Sequence, residues 1–234
     1  MKVLDLCCRE GGAAKGYHQA GATMIVGVDT KPQPRFPFGF LQADALSLDL
    51  RFIRQFDLVH ASPACQGLTE MNNDKSRHLN LIAPIRKLLI ASGVPYVIEN
   101  VRGARKHLIN PVSLFGTMFD MHVVSSTGQR FDLSRERLFE TSWPVPQPWN
   151  PGASHPIANV YGGHFRVRSG DYRTGKGTGR TVDLPGEDRA ALARRLMEMP
   201  WASMDGISEA VPPPYCQYIG EEFLRHNSEQ RLAA

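Results

Sequence analysis

Four short stretches carry residue types that do chemistry, and each follows or ends an apolar run. In Ala61-Ser62-Pro63-Ala64-Cys65-Gln66-Gly67 a cysteine stands in a loop stiffened by proline, directly after the strand-like run Phe56 to Ala61. A cysteine is most often a small buried hydrophobe. In a rigid loop at the end of a strand, however, a thiol is exposed and backbone donors stabilise its thiolate, which makes Cys65 a candidate nucleophile. Tyr96-Val97-Ile98-Glu99-Asn100-Val101 is a buried-type strand ending in an acid and an amide. A carboxyl group is costly to bury without a partner, so Glu99 reads as functional, with structural pairing to a basic residue as the alternative.

The other two stretches are suited to a ligand rather than to bond-making. In Asp5-Leu6-Cys7-Cys8-Arg9-Glu10-Gly11-Gly12 the glycines let backbone approach a ligand and open the next helix, although a plain tight turn uses them equally well. Asp29 ends the following strand, where a carboxylate accepts hydrogen bonds from both hydroxyls of a ribose. Asp44, in Gln42-Ala43-Asp44-Ala45, follows a third strand candidate and is placed to accept from an adenine amino group. Either aspartate could instead cap a helix. Taken with the glycines, the pair points to an adenosine-containing cofactor.

These residues need a scaffold that gathers loops. Lys2 to Leu6, Met24 to Val28, Phe56 to Ala61 and Pro95 to Ile98 read as strands, while Ala13 to Ala20 and Asn80 to Ile90 have helical composition or spacing. The alternation predicts an α/β fold with a mostly parallel sheet and helices on both faces, whose ligands bind beyond the carboxyl ends of the strands. Pro144, Pro146, Pro148, Pro151 and Pro156 interrupt regular structure and predict a small irregular lobe reaching to Pro185. Helices are expected over Glu187 to Met199 and, after Pro212-Pro213-Pro214, over Tyr218 to His226. The expected organisation is a catalytic and cofactor-binding domain over 1–143, a reduced lobe over 144–185, and a segment over 186–234 that packs back on the first.

With 234 residues, 42% of them hydrophobic, the chain can bury one substantial core. Charged residues interrupt every long apolar run, so no membrane span is expected, and the opening lacks the pattern of a secretory signal. Cys7, Cys8, Cys65 and Cys216 fit neither a disulfide framework nor zinc-ligand spacing; they read as reduced thiols of a cytoplasmic, metal-free monomer. Net charge is +4, and Arg166, Arg168, Arg173, Lys176 and Arg180 crowd a glycine-rich stretch that suits either phosphate contacts or a solvated loop.

In their order and spacing these motifs resemble the DNA cytosine-5 methyltransferase family over nearly the whole chain. The family's Asp-Leu-Phe-x-Gly-x-Gly-Gly is similar to Asp5–Gly12, with Cys7 in place of phenylalanine and Arg9 in place of the first glycine. Pro-Pro-Cys-Gln stands as Pro63-Ala64-Cys65-Gln66, Glu-Asn-Val as Glu99-Asn100-Val101, and Gln-x-Arg-x-Arg as Leu133-Ser134-Arg135-Glu136-Arg137. The segment Ser208 to Gly220 resembles that of small phage and prophage members, some of which serve restriction-modification. The resemblance implies a Rossmann-like fold and S-adenosylmethionine held by Asp5, Leu6, Cys7, Gly11, Gly12, Asp29, Thr30, Asp44, Ala45, Pro63, Val211 and Pro212. It also implies attack by Cys65 on a cytosine flipped out of double-stranded DNA. Glu99 then acts on the ring nitrogen, Asn100 holds the loop, Arg137 contacts the base carbonyl, and Arg135 supports the loop or a phosphate. Gln66 joins the five basic residues as a DNA contact. Three alternatives stay open: the same chemistry on RNA or single-stranded DNA, a catalytically silent DNA-binding relative, and an unrelated small-molecule methyltransferase.

Overall fold

The computed structural model describes residues 1–63, 80–167, 184 and 186–233. Seven strands form the main sheet: β1 (Lys2–Leu6), β2 (Met24–Asp29), β3 (Gly39–Gln42), β4 (Leu58–Ala61), β5 (Tyr96–Asn100), β6 (Val112–Leu114) and β9 (Arg137–Thr141). Their order is β3-β2-β1-β4-β5-β9-β6; β1 to β5 pair in parallel, and β9 runs antiparallel to both of its neighbours. The strand order therefore turns around at β1, which opens a crevice beyond the carboxyl ends of β1 and β4.

Strand alternation sorts the side chains onto two faces. Leu4, Leu6, Val59, Ala61 and Ile98 pack with α2 (Leu50–Ile53) and α3 (Ile82–Ser92) through Ile53, Ile82, Ile85 and Leu89. Val3, Leu58 and Val97 share the opposite core with α1 (Gly12–Gln19) and α6 (Pro213–Ala233) through Tyr17, Tyr215, Cys216 and Ile219. The sequence predicts the last helix only over Tyr218 to His226. It begins at Pro213 because a proline in the first turn gives up an N–H that has no helical partner anyway.

A second sheet, ordered β11-β10-β8-β7, is made from β7 (His122–Val124), β8 (Arg130–Leu133), β10 (Ile157–Tyr161) and β11 (His164–Val167). Two of its strands precede residue 144, so the smaller layer interleaves with the first predicted domain, and the stretch expected to be irregular contains a hairpin. Gly162 and Gly163 turn that hairpin at φ 58° and 73°. Asp132 ties the proline-rich approach to β8 by accepting from the backbone N–H groups of Ser154 (3.0 Å) and His155 (3.1 Å). α4 (Arg189–Leu196) and α5 (Met204–Glu209) are capped by Asp188 and Ser203. Among the described residues no helix is long and apolar enough to cross a membrane.

Two glycines of α1 bring the chain's end back to its beginning. A Cβ on Gly12 would lie 2.2 Å from the carbonyl oxygen of Val211, and one on Gly16 would lie 2.1 Å from that of Pro213. The obstacle in both cases is backbone, which cannot rotate aside. Gly12→Ala is therefore expected to destabilise the fold by about 1–3 kcal/mol, the usual cost of overpacking. Urea denaturation measures it, and an unchanged midpoint would show that the two segments are not in close contact.

Candidate active site at the carboxyl ends of the central strands

A cavity of about 340 Å³ occupies the crevice. One wall comes from the loops after β1, β2 and β3 and carries Cys7, Arg9, Asp29, Thr30, Lys31, Ala43, Asp44, Ala45 and Leu46; the other comes from β4, β5 and β9 and carries Ser62, Pro63, Glu99, Asn100, Val101 and Arg137. Val28, Leu81 and Ile85 supply apolar surface between them, and Glu209 reaches the rim.

Asp29 is buried, and its carboxylate is aimed by two backbone donors, Arg9 N to Oδ2 at 3.2 Å and Lys31 N to Oδ1 at 3.0 Å. Reaching it requires a left-handed backbone at Cys7 (φ 59°) and Arg9 (φ 48°), a conformation unusual outside glycine. The Arg9 guanidinium then pairs with Glu209, linking the first loop to the end of α5. Asp44 does cap a turn, its Oδ1 accepting from Leu46 N at 3.0 Å, and lines the cavity as well. Burial and the nearby Asp29 push the Cys7 thiol up to about 12.

On the facing wall Glu99 is 5% exposed and its Oε1 lies 3.1 Å from Arg137 Nε. Burial raises the carboxyl above the usual carboxylate range, while the charge of Arg137, a hydrogen bond from Ser62 and the charge of Arg135 oppose the shift. Glu99 is therefore paired with a basic residue and also lines the cavity. Asn100 donates from Nδ2 to the carbonyl of Pro63 at 3.0 Å, so β5 anchors the end of β4 where the chain leaves toward residue 64.

Not every implied residue reaches the cavity. Leu6, Gly11, Gly12, Val211 and Pro212 do not line it; Gly11 packs under Phe36 and Pro37, and Gly12 against the backbone of Val211. Asp5 is fully buried on the α1–α6 face. Arg135 does not line the cavity; it donates to the carbonyls of Val160 (2.5 Å), Ser208 (2.6 Å) and Ala210 (2.9 Å). It staples the second sheet to the carboxyl end of α5, where the last carbonyls of a helix have no helical partner. Arg166, on β11, stands 5.0 Å from the ring of Tyr161 and away from the cavity. Cys65, Gln66, Arg168, Arg173, Lys176 and Arg180 lie outside the described residues. Arg9, Lys31, Ser62 and Glu209 were not anticipated at the cavity. Ser62 had a signal, since it adjoins Pro63, whereas the partnership of Arg9 with Glu209 is too distant in sequence to read.

Asp5 carries a pH signature. Burial holds its carboxyl well above the ordinary range, with Asp29 and Glu99 adding to the rise. A folded state that keeps a proton the unfolded chain gives up loses stability as pH rises from the usual carboxylate range through the folded value. In urea titrations from pH 5 to pH 8, wild type should lose stability relative to Asp5→Asn, which has no such proton. A gain in the same range would show that Asp5 is ionised in the fold.

No protein-family model matches the chain. An uncharacterised methyltransferase from Synechocystis is 31% identical over 126 residues, covering 51% of this chain and 57% of that protein, so the likeness spans little more than half the relative's length. Among solved structures, a putative DNA modification methyltransferase encoded in an Escherichia coli prophage superposes with a TM-score of 0.61 at 14% identity, over 96% of this chain and 99% of that one. The Dnmt2 methyltransferase of S. pombe does so with a TM-score of 0.55 at 13% identity, over 96% and 98%. A likeness at such identity is one of fold: the chain has the Rossmann-like α/β architecture that these methyltransferases share.

Proposed function

We propose that this protein transfers a methyl group from S-adenosylmethionine to carbon 5 of a cytosine in DNA, with Cys65 as the covalent nucleophile. The observation that carries the reading is one cavity with two unlike walls. Asp29 and Asp44 offer carboxylates suited to ribose hydroxyls and an adenine amino group, opposite a buried acid and arginine beside the start of the Cys65 loop. Its volume falls in the usual range of small-molecule sites, about 300–1,000 Å³. Val28, Ala43, Ala45 and Leu46 give an adenine apolar surface, so the residues present fit the cofactor. The methyltransferase likenesses of fold and of partial sequence agree with it.

When bound, S-adenosylmethionine supplies a methyl group on a sulfonium, which leaves with its bonding pair as a neutral thioether. Carbon 5 of cytosine is too electron-poor to take that methyl unaided, so the protein must raise its electron density. The Cys65 thiolate adds to carbon 6, forming an S–C bond and pushing electrons toward carbon 5. Glu99, which burial disposes to keep a proton, shares it with ring nitrogen 3 and neutralises the charge that collects there. Arg137 keeps that carboxyl in place and turns its remaining donors to the base carbonyl. After transfer the carbon 5 proton passes to a base, the S–C bond breaks, and Cys65 is restored. A base inside a duplex cannot reach the cavity, so it must be flipped out, at a cost of a few kcal/mol.

DNA containing 5-fluorocytosine should form a denaturant-stable adduct with wild type, because the fluorine cannot leave as a proton does, and Cys65→Ser should form none. Turnover by the serine variant, or methyl label recovered on a small molecule and not on DNA, would overturn the reading. Asp29→Ala should weaken cofactor binding by about 1–3 kcal/mol, roughly 5- to 150-fold in calorimetric titration. Glu99→Gln should leave that affinity alone and slow transfer by roughly 10²-fold or more.

A further inference from the structure

Beneath the cavity runs a row of polar side chains that the proposed chemistry does not use. Strand register sets it up: Asp5 pairs with His60 between β1 and β4, and His60 pairs with Val97 between β4 and β5, so His60, Ser62 and Glu99 share the face covered by α1 and α6. His60 is fully buried, yet both of its ring nitrogens are bonded, Nδ1 to Tyr17 Oη at 2.9 Å and Nε2 to Ser62 Oγ at 2.9 Å. Ser62 comes one step after the Ala61–Ile98 pair and so stands beside Glu99 on the neighbouring strand, where its hydroxyl favours the charged carboxylate. A histidine in the middle of an otherwise apolar strand is expensive to bury unless such bonds are made.

Proton counting gives the row a direction. A phenol, a neutral imidazole and a hydroxyl have one proton each to donate, and an ionised carboxylate has none. Burial holds His60 down at about 3, so the ring stays neutral. If Ser62 donates to Glu99, its oxygen is left to accept from His60 Nε2–H. Nδ1 then accepts from the Tyr17 hydroxyl. Every proton points toward Glu99. The far end, Tyr17, is fully buried, so the row is a fixed array of dipoles and not a path for protons to solvent.

We propose that His60, braced by Tyr17, is a positioning residue that keeps the Ser62 hydroxyl proton on Glu99 and so sets the pH at which Glu99 ionises. This rests on reading Glu99 as the acid of the reaction. The other groups that act on Glu99 are Arg137 and Arg135, which favour its charge, and Asp5, Tyr17 and Cys216, which adjoin the same buried face. A hydrogen bond to the charged form lowers a carboxyl's pKa, so losing the Ser62 donor raises it. A rate that needs protonated Glu99 would then persist to higher pH.

The test compares wild type with His60→Leu, His60→Gln, Ser62→Ala and Tyr17→Phe. Two readouts are the pH profile of kcat/KM and the infrared carboxylic-acid stretch that disappears in Glu99→Gln. Ser62→Ala and His60→Leu should each move both titrations upward by about one pH unit, the scale of one hydrogen bond to a charged group. Combining the two should add nothing, because they interrupt the same row. His60→Gln, whose amide still donates to Ser62, should stay near wild type, and Tyr17→Phe should shift less than His60→Leu. If His60→Leu does not fold, Tyr17→Phe, which keeps the ring packing, decides the matter. A titration unmoved in the His60 and Tyr17 variants but moved in Ser62→Ala would overturn the proposal. The infrared readout needs no turnover: the expected shift in a protein that transfers no methyl group would support the positioning of Glu99 and sink the reading of the reaction.

Discussion

A carboxylate at the end of a central strand, cut off from water, is tolerated only if the surrounding fold satisfies it, and the site is arranged around that demand. Glu99 stands one residue before the end of β5, between β4 and the antiparallel β9. β9 begins with Arg137, which supplies the opposite charge, and β4 runs into Ser62, which supplies the hydrogen bond. An all-parallel sheet would have set the amino end of the neighbouring strand at the far side of the molecule. Reversing β9 is what brings Arg137 to the cavity. A second buried pair fixes the other end of β9: Glu140 accepts both Arg86 Nε and Nη2 at 2.6 Å, and Arg86 also donates to the carbonyl of His107. Breaking such a pair by removing one partner typically costs about 3–5 kcal/mol, so β9 is held at both ends by ionic contacts.

The facing wall depends on a different constraint, backbone held in left-handed conformations. Cys7 and Arg9 adopt positive φ so that the loop after β1 can turn its amide toward Asp29. A non-glycine residue in this region costs on the order of 1 kcal/mol. The hydrogen bond to Asp29 and the ion pair with Glu209 offset it, and this explains how arginine stands where the family that the sequence resembles has glycine. The phenyl ring of Phe36 fills the space over Gly11 and Gly27, where a Cβ would collide with it. Buried side chains thus replace what a more glycine-rich loop would leave open.

Much of this could be read in the sequence, because it depends on local signals. Short continuous apolar runs alternating with helical segments pointed to the parallel sheet, and polar residues at the strand ends marked Asp29, Asp44, Glu99 and Asn100 as residues of one rim. The antiparallel hairpin of β10 and β11 also had a signal, Ile157 to Tyr161 followed by Gly162-Gly163, but the surrounding prolines masked it. Arg135 and Arg137 looked equivalent in their motif. Strand alternation would put both on one face; they part because β9 begins only at Arg137, and Arg135 falls before it, facing carbonyls from Val160 and Ser208 to Ala210. His60 was read as part of an apolar run. Nothing local distinguishes it, because its partner Tyr17 comes from α1, 43 residues earlier in the chain.

The central claim is that the two walls of one cavity bring a methyl donor to a cytosine. Unmethylated genomic DNA incubated with the purified protein and S-adenosylmethionine, then mapped at base resolution for modified cytosine, tests it most directly. The account predicts new 5-methylcytosine on DNA in a repeated sequence context. Unmodified cytosines throughout, with the methyl group carried instead by adenine or by no base at all, would contradict it.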